Sequence, residues 1–397
     1  MVSFPEGFLW GAATAAHQVE GGNVANDWWV KEWTPGTPIA EPSGDAADAY
    51  HRYPEDLALL AGAGLNSYRF SIEWSRIEPE KGFFSRAAID HYRRMVEACL
   101  AAGLTPVVTL LHFTIPRWLY REGSWLAPDA VERFQRFVDA SLPVVASDVE
   151  WVCTINEPNI ATMLAGSPDG VTLAGPGLPV PDGRVADVLL GCHKAAVERL
   201  RTVPGLRSGW TVATQAFEPS DEAGSAERLL EYGGPREDWY LEAARGDDFV
   251  GVQAYTRTVI GPDGPLPPPA SAELTLTGWE FFPRALERGV RAAARLTGGL
   301  PVLVTENGIA TADDTRRIAY TDEALRGLAA AMADGIDVRG YLHWSALDNY
   351  EWASGYGPTF GLIAVDRSTF VRTPKPSLHW LGAVARANSL PAPQGPA

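Results

Sequence analysis

The chain has 397 residues, of which 46% are hydrophobic, and this is enough to bury a large core in one α/β barrel with insertions. Its formal net charge of −16 disfavours nucleic acids and anionic membrane surfaces as partners, whereas a neutral small molecule is compatible with it. The sequence shows neither a basic and then apolar leader nor an apolar run of about 18 residues. We therefore expect no membrane association and a cytoplasmic location.

Short apolar segments alternate with amphipathic helical segments along the chain. The first predicted strand ends in polar groups, and the pattern then repeats up to residue 344. The predicted strands are 8–20, 66–71, 105–111, 150–155, 206–214, 249–252, 301–306 and 338–344, and the predicted helices are 53–62, 87–102, 129–145, 185–200, 236–245, 279–296 and 322–334. Eight such strands without a break in composition indicate a single (β/α)8 TIM barrel, an α/β fold.

The barrel domain is predicted to occupy residues 1–389, and residues 390–397 are predicted to form a disordered C-terminal tail. The Pro- and Gly-rich segment 261–270 is interpreted as a surface loop of this domain, because strand–helix units continue after it. No short-period repeat interrupts the pattern. The sequence thus predicts one domain.

Cysteine and histidine patterns give no sign of a metal or redox centre. Cys99, Cys153 and Cys192 are widely spaced in apolar surroundings and form no C-x-x-C pair, so they are predicted to be reduced thiols of the core. Because no His, Cys or Asp cluster has ligand spacing, we expect neither a metal nor an organic cofactor. Three further residues fall in helical patterns and are interpreted as structural: His51, His91 and His193.

Polar side chains follow the predicted strands, whose interiors are apolar. Glu157 follows one strand and precedes Pro158, and Glu306 ends another strand. Because proline cannot continue a strand and disfavours helix in the residue before it, Glu157 is predicted to lie where a strand meets a loop. The carboxyl ends of barrel strands converge on one face, which carries the catalytic groups. The polar residues predicted to gather there are Gln18, Arg69, His112, Asn156, Glu157, Tyr255, Glu306, Trp344 and Glu351.

Five ordered motifs connect these positions. They are Phe8–Gly11 with Gln18–Gly21, Tyr68–Arg76, Thr154–Pro158 (Thr-x-Asn-Glu-Pro), Thr305–Gly308 (Thr-Glu-Asn-Gly) and Asp348–Trp352. Together they resemble glycoside hydrolase family 1, the retaining β-glycosidases, over the stretch from Phe8 to Pro376. The resemblance implies a (β/α)8 barrel with its active site at the carboxyl ends of the strands. It also implies a small-molecule β-glycoside or oligosaccharide as substrate.

The resemblance implies a role for each residue. Glu306 would attack the anomeric carbon, and Glu157 would protonate the leaving oxygen and then deprotonate the incoming water. Arg69 and Tyr255 would lie beside the nucleophile and keep it ionised, and Asn156 would hold the sugar 2-hydroxyl. The other implied sugar-binding residues are Gln18, His112, Trp344, Glu351 and Trp352. Three tryptophans after the first motif are interpreted as core or pocket wall: Trp28, Trp29 and Trp33.

Elementary chemistry agrees with this division of roles. Retention needs two carboxyls about 5–5.5 Å apart, one as nucleophile and one as acid. Glu157 lies between apolar residues and is expected to face a second carboxylate, so its pKa is predicted to be raised. Two positions depart from the family pattern: Gln253 stands where asparagine is common, and Phe113 replaces a common tryptophan.

The predicted activity is that of a retaining exo-β-glycosidase on unphosphorylated β-glucosides, with β-galactosides and β-fucosides as further candidates. Members that cleave 6-phosphoglycosides replace the glutamate at the Glu351 position, and its charge here would repel phosphate. A transglycosylase would use the same residues, and sequence does not separate it from a hydrolase. A non-catalytic glycan-binding barrel ranks last because both glutamates are present. The leaving group, the preference between glucosides and galactosides and the oligomeric state stay open.

Overall fold

The computed structural model describes residues 2–146, 148–173 and 177–392. Eight parallel strands form a closed barrel in which each strand pairs with the next one along the chain and β8 pairs with β1. This confirms the predicted (β/α)8 fold. The barrel strands are β1 Leu9–Ala13, β2 Ser67–Ser71, β3 Thr105–Leu111, β4 Trp151–Asn156, β5 Arg207–Thr214, β6 Val250–Ala254, β7 Val302–Asn307 and β8 Val338–Trp344.

The strands are short and mostly apolar because both of their faces are buried. Side chains pointing inward fill the barrel, and those pointing outward pack on the surrounding helices. Glycine allows close approach at one crossing. A Cβ on Gly209 would lie 2.0 Å from the carbonyl oxygen of Phe249, so only glycine fits between β5 and the start of β6.

Eight helices surround the barrel: α1 Ala49–Ala63, α2 Arg86–Ala101, α3 Ala130–Val145, α4 Gly183–Leu200, α5 Trp239–Ala243, α6 Ala285–Thr297, α7 Asp314–Ala333 and α8 Pro376–Ala387. Helix α2 shows how the sequence sets them. Ser85 caps it by accepting a hydrogen bond from the Ala88 N–H, and residues three or four apart, including Tyr92, Val96 and Cys99, face the core.

Shorter elements lie in the loops. The additional helices are Ala16–Val19, Asp27–Glu32, Trp74–Ile77, Arg117–Arg121, Pro158–Gly166 and Ser225–Gly233, with a π-helical turn Gly234–Asp238 and 3₁₀ turns Ser124–Leu126 and Trp352–Ser354. The small strands outside the barrel are Val2–Ser3, Phe217–Pro219, Thr258–Gly261, Gly264–Pro265, Ile363–Val365, Arg372–Pro374 and Ser389–Leu390.

Several predicted boundaries were wrong for local reasons. The strand predicted over 8–20 ends at Ala13, and α7 begins eight residues before its predicted start because the Asp313 carboxylate caps it. Helix α6 starts only at Ala285, since Trp279 belongs to a tight loop in which its carbonyl accepts from the Thr275 N–H. The segment 261–270 includes one strand of a small hairpin, and α8 had no predicted counterpart.

Two short strands, Val2–Ser3 and Ser389–Leu390, pair with one another beside the barrel. Leu390, predicted to begin the tail, is buried and pairs with Val2. Residues 393–397 of the predicted tail lie outside the described residues. The three cysteines are buried and free. Across residues 2–146, 148–173 and 177–392, none of the helices combines the length and apolarity that a membrane span needs.

Candidate active site

The predicted polar residues lie at the carboxyl ends of the barrel strands. Arg69 is in β2, Asn156 ends β4, Glu306 is the penultimate residue of β7 and Trp344 ends β8. His112 follows directly after β3. The parallel order of the strands brings these ends to one face of the barrel.

Glu306 is buried, and each of its carboxylate oxygens accepts a short hydrogen bond. Arg69 Nη1 donates to Oε1 at 2.6 Å, and the Tyr255 hydroxyl donates to Oε2 at 2.6 Å. The Arg69 guanidinium is itself fully buried and is steadied by Thr109 Oγ1, which accepts from Nε at 3.0 Å. These contacts stabilise the charged form of Glu306 and fix the direction of its lone pairs.

Glu157 adopts a left-handed backbone conformation, with φ of 44°, between β4 and the short helix that Pro158 opens. Its N–H donates to the Thr211 carbonyl at 2.9 Å, which anchors the bend. A non-glycine residue at positive φ costs of order 1 kcal/mol and persists where surrounding structure holds it, often at functional sites. Glu157 follows a barrel strand as predicted, but the prediction that a loop comes next was wrong, because Pro158 opens a short helix.

Burial raises the pKa of both carboxyls, but not equally. For Glu157 the desolvation and then the nearby charge of Glu306 hold the pKa well above its usual range. For Glu306 burial also raises the pKa, while the Arg69 charge and the Tyr255 hydrogen bond work against that rise. The Arg69 charge and the Tyr255 hydroxyl thus favour the charged form of Glu306 over that of Glu157.

Asn156 joins the nucleophile's support to the rest of the site. Its Oδ1 accepts from Arg69 Nη2 at 2.5 Å, Gln253 Nε2 at 2.8 Å and Thr211 Oγ1 at 3.2 Å. Its amide nitrogen donates to His112 Nε2 at 3.2 Å. Burial and the Arg69 charge hold the pKa of His112 well below its usual range, so the ring is neutral and Nδ1 carries its hydrogen.

Two polar side chains mark another part of the site, Gln18, which is fully buried, and Glu351, which is partly buried. Gln18 Nε2 donates to the Tyr350 carbonyl at 2.7 Å, and its Oε1 has no partner among the described residues. Glu351 Oε1 accepts from Asn349 Nδ2 at 3.0 Å and from Trp344 Nε1 at 3.3 Å. Burial raises the pKa of Glu351 to about 8. Gln18 can thus accept a hydrogen bond from a ligand hydroxyl group, and Glu351 can accept or donate one.

Aromatic rings form the walls. The ring of Trp344 lies nearly parallel to that of His112 at 5.9 Å, and the Trp344–Ser345 peptide bond is cis. Trp352 contacts Trp28 edge-on at 4.8 Å and Phe113 at 5.3 Å. Trp28 and Phe113 also line an adjoining cleft of about 500 Å³. An apolar wall beside hydrogen-bonding groups suits a sugar ring, which has both kinds of surface.

The structure corrects one interpretation and leaves others in place. Trp28 is buried beside Trp352, but Trp33 is 60% exposed and is not core. The three histidines interpreted as structural lie on outer helices, where His193, for example, bonds Thr154 Oγ1 at 2.8 Å. Within the described ranges, no group of three or more His, Cys, Asp and Glu side chains is placed to hold a metal ion.

Sequence reasoning missed two neighbours of the site, Thr211 and Trp279, and named Gln253 only as a departure from the family pattern. Thr211 and Gln253 bond Asn156 from β5 and β6. Trp279 lies on the β6–α6 loop, with its ring 5.6 Å from the ring of Tyr255. It was predicted to begin a helix, and nothing in its local sequence pointed to the site.

A (β/α)8 barrel with two differently supported carboxyls at its carboxyl-terminal face is an arrangement suited to glycosidic bond hydrolysis. The model of glycosyl hydrolase family 1 matches residues 1–202 and 266–390. The chain belongs to this family. It is therefore a glycoside hydrolase of the β-glycosidase class.

Known relatives span the same length. Thermostable beta-glucosidase B of Thermobispora bispora is 33% identical, over 98% of this chain and 92% of that protein. Beta-glucosidase A of Thermotoga maritima is 31% identical, over 98% of both chains. The crystal structure of beta-glycosidase BGL167 superposes with a TM-score of 0.90 at 47% identity, covering 99% of this chain and 100% of that one. A Thermotoga maritima beta-glucosidase in complex with glucoimidazole gives a TM-score of 0.88 at 29% identity, covering 98% of this chain and 100% of that one.

Proposed function

We propose that the protein is a retaining exo-β-glycosidase that hydrolyses unphosphorylated β-glucosides, and related β-galactosides or β-fucosides, by double displacement. The observation that carries this proposal is the unequal support of the two carboxyls. Glu306 has both oxygens held by donors, and the pKa of Glu157 is raised well above its usual range. A charged nucleophile and a protonated acid are what the first step requires.

In the first step Glu306 attacks the anomeric carbon while Glu157 gives its proton to the glycosidic oxygen. The C–O bond to the leaving group breaks, the leaving group departs as an alcohol, and a glycosyl ester forms on Glu306. Arg69 and Tyr255 orient the attacking carboxylate through one hydrogen bond to each of its oxygens. The same hydrogen bonds stabilise the Glu306 carboxylate when it departs from the sugar in the second step.

In the second step Glu157 acts as a base. Esterified Glu306 carries no charge, so one of the causes that raise the pKa of Glu157 is removed and that pKa falls. Glu157 takes a proton from water, the water oxygen attacks the anomeric carbon, and the ester bond to Glu306 breaks. Two inversions give a product with the same anomeric configuration as the substrate.

The surrounding residues are proposed to hold the sugar. Asn156 donates through Nδ2 to the 2-hydroxyl, a contact that strengthens as positive charge develops at the anomeric carbon. Gln18 and Glu351 bracket adjacent hydroxyls at the far end of the ring. His112 donates through Nδ1, which is buried without a partner among the described residues. The remaining wall residues are Trp344 and Trp352.

The relatives support glucosides as the substrate class, because several are named beta-glucosidase and two are named 1,4-beta-D-glucan glucohydrolase. Those names also favour hydrolysis over transglycosylation, which the same residues would perform if a sugar hydroxyl replaced water. We keep the cytoplasm as the proposed compartment, because three free buried cysteines fit a reducing environment.

A panel of 4-nitrophenyl glycosides tests the proposed function. We expect turnover of the β-glucoside, with weaker or comparable turnover of the β-galactoside and β-fucoside, and none with Glu306→Ala. We expect β-glucoside 6-phosphate to be at least about 100-fold poorer in kcat/KM, because the surroundings of Glu351 disfavour negative charge, as its pKa raised to about 8 indicates. Turnover confined to the phosphorylated sugar would overturn the proposed substrate, and a panel without turnover would leave only a glycan-binding role.

The loop beside Tyr255 points to an apolar leaving group. Trp279 is 40% exposed there, and Leu274 and Leu276 on the same loop are 54% and 51% exposed. The loop is held in place by the Phe281 N–H, which donates to the Glu273 carbonyl at 2.8 Å. We propose that this apolar edge contacts the leaving group of aryl or alkyl glucosides.

Trp279→Ala is expected to raise KM for 4-nitrophenyl β-glucoside about 10-fold, since an apolar contact of this size is lost, and to leave methyl β-glucoside almost unchanged. Steady-state kinetics on both substrates measure this. Phe83→Ala, which removes another exposed aromatic side chain, serves as the control and should alter neither. Equal changes for the two substrates would refute contact with the leaving group.

A further inference from the structure

Gln253 is one of the residues that depart from the family pattern, and its side chain makes one hydrogen bond across the barrel interior. It lies in β6, where it pairs with Glu306 of β7 on one side and with Ala213 of β5 on the other. It is fully buried, and its Nε2 donates to Asn156 Oδ1 at 2.8 Å. Since Asn156 ends β4, the glutamine side chain reaches past β5 to join strands that are not neighbours.

The three donors on Asn156 Oδ1 determine which way the amide faces. A carbonyl oxygen accepts hydrogen bonds, whereas an amide nitrogen only donates. If the amide were flipped, its NH₂ group would face the N–H groups of Arg69 and Gln253, and both would be left without an acceptor in a buried site. The observed orientation directs Nδ2 towards His112.

Gln253 differs from the other two donors. Arg69 also holds Glu306, and the Thr211 hydroxyl is the longest of the three bonds at 3.2 Å. Among the described residues, the Gln253 amide bonds Asn156 alone, and its Oε1 is buried with no partner there. A buried polar atom left without a partner costs about 1–3 kcal/mol, so an apolar side chain would suit this position better if packing were its only purpose.

We propose that Gln253 is a positioning residue that fixes the Asn156 amide so that Nδ2 donates to the substrate 2-hydroxyl. It acts through Asn156 and not on the reacting atoms. The inference rests on the proposed function, because it presupposes a sugar whose 2-hydroxyl meets Asn156. The effect of the Gln253 side chain is therefore specific to substrates that carry the 2-hydroxyl. This effect is largest in the transition state, where the 2-hydroxyl contact strengthens.

Gln253→Met tests this, because methionine has a similar length and removes both the donor and the unpartnered oxygen. Two substrates are compared, 4-nitrophenyl β-glucoside and its 2-deoxy analogue. For the glucoside we expect kcat/KM to fall by about 10–100-fold, mainly through kcat, since misplacement by about 1 Å can cost that much. For the 2-deoxy analogue we expect less than about 3-fold change. Gln135→Met, the same substitution on outer helix α3, is the matched control and should leave both rates unchanged.

A second pair of variants separates this inference from the function it rests on. In an Asn156→Ala background, adding Gln253→Met should lower kcat/KM for the glucoside no further, because its target is gone. Equal losses on the two substrates, or a full additional loss in the double variant, would show a merely structural role and overturn the proposal. If Gln253→Met does not fold, Gln253→Leu, which likewise has no side-chain donor, is expected to give the same selective loss. Failure of the proposed function would appear differently, as a wild-type enzyme without β-glucosidase activity.

Discussion

Glu306→Gly is expected to lower kcat for 4-nitrophenyl β-glucoside by at least about 10⁴-fold, because it removes the group that forms the covalent bond. The cavity left beside Arg69 and Tyr255 is small, polar and positively charged, and so it can admit azide. Azide added to the variant should restore turnover and give the α-glucosyl azide, since one displacement inverts the anomeric centre. The product is identified by NMR.

The control for this experiment is Glu351→Gly, which removes another carboxyl of the candidate site. It should lose activity through sugar binding and should gain nothing from azide. A β-glucosyl azide from Glu306→Gly, or rescue of Glu351→Gly in its place, would refute the assignment of Glu306 as the nucleophile. Thermal unfolding of each variant shows whether it is folded.

Glu157→Ala is expected to separate substrates by their leaving group. An alkyl β-glucoside needs protonation of its leaving oxygen and should lose about 10²–10⁴-fold in kcat/KM, whereas 2,4-dinitrophenyl β-glucoside, whose leaving group departs without a proton, should lose far less. The second step slows for both substrates, because no base activates water. A burst of dinitrophenol followed by slow turnover is therefore the expected signature.

The pH profile gives an independent test of the same residue. Burial and Glu306 raise the pKa of Glu157, so Glu157 keeps its proton to a higher pH than an ordinary glutamate and loses it as the pH rises through that raised pKa. Wild-type kcat/KM should consequently fall on the alkaline side, and this fall should be absent in Glu157→Ala with the dinitrophenyl substrate. Asn156→Ala, in contrast, should lower the rates with both leaving groups alike. A preserved alkaline limb in Glu157→Ala would exclude Glu157 as the acid.

The barrel and its central residues were accessible to sequence reasoning because their signals are local. Short apolar strands ending in polar groups predicted the fold, and proline after Glu157 placed that glutamate at a bend, where it adopts φ of 44°. The start of α7 was missed because a cap depends on a single side chain, Asp313. Trp279 was missed for a different reason: only the folded loop brings it to Tyr255.

The hydrogen-bond networks of the site were harder to predict from the sequence than the roles of single residues. The family pattern drew attention to Gln253, but the sequence contains no record of which strands its amide connects. The unequal pKa values of the two carboxyls likewise depend on buried neighbours from four different strands or the loops after them. The family resemblance predicted Glu157 as the acid, and the second carboxylate expected beside it agreed with a raised pKa. The threefold bonding of Asn156 required coordinates.

Arg69 bonds both Glu306 and Asn156 through separate nitrogens. In the proposed mechanism, a change in the charge of Glu306 therefore also changes the hydrogen bonding of Asn156. While Glu306 is charged, it balances the guanidinium. Once the ester has formed, the cation has lost that counter-charge, and its field polarises the Asn156 carbonyl more strongly. The amide nitrogen then becomes a better donor at the stage when the sugar is covalently attached. In the proposed mechanism, recognition of the 2-hydroxyl is thus an affinity that varies through the catalytic cycle.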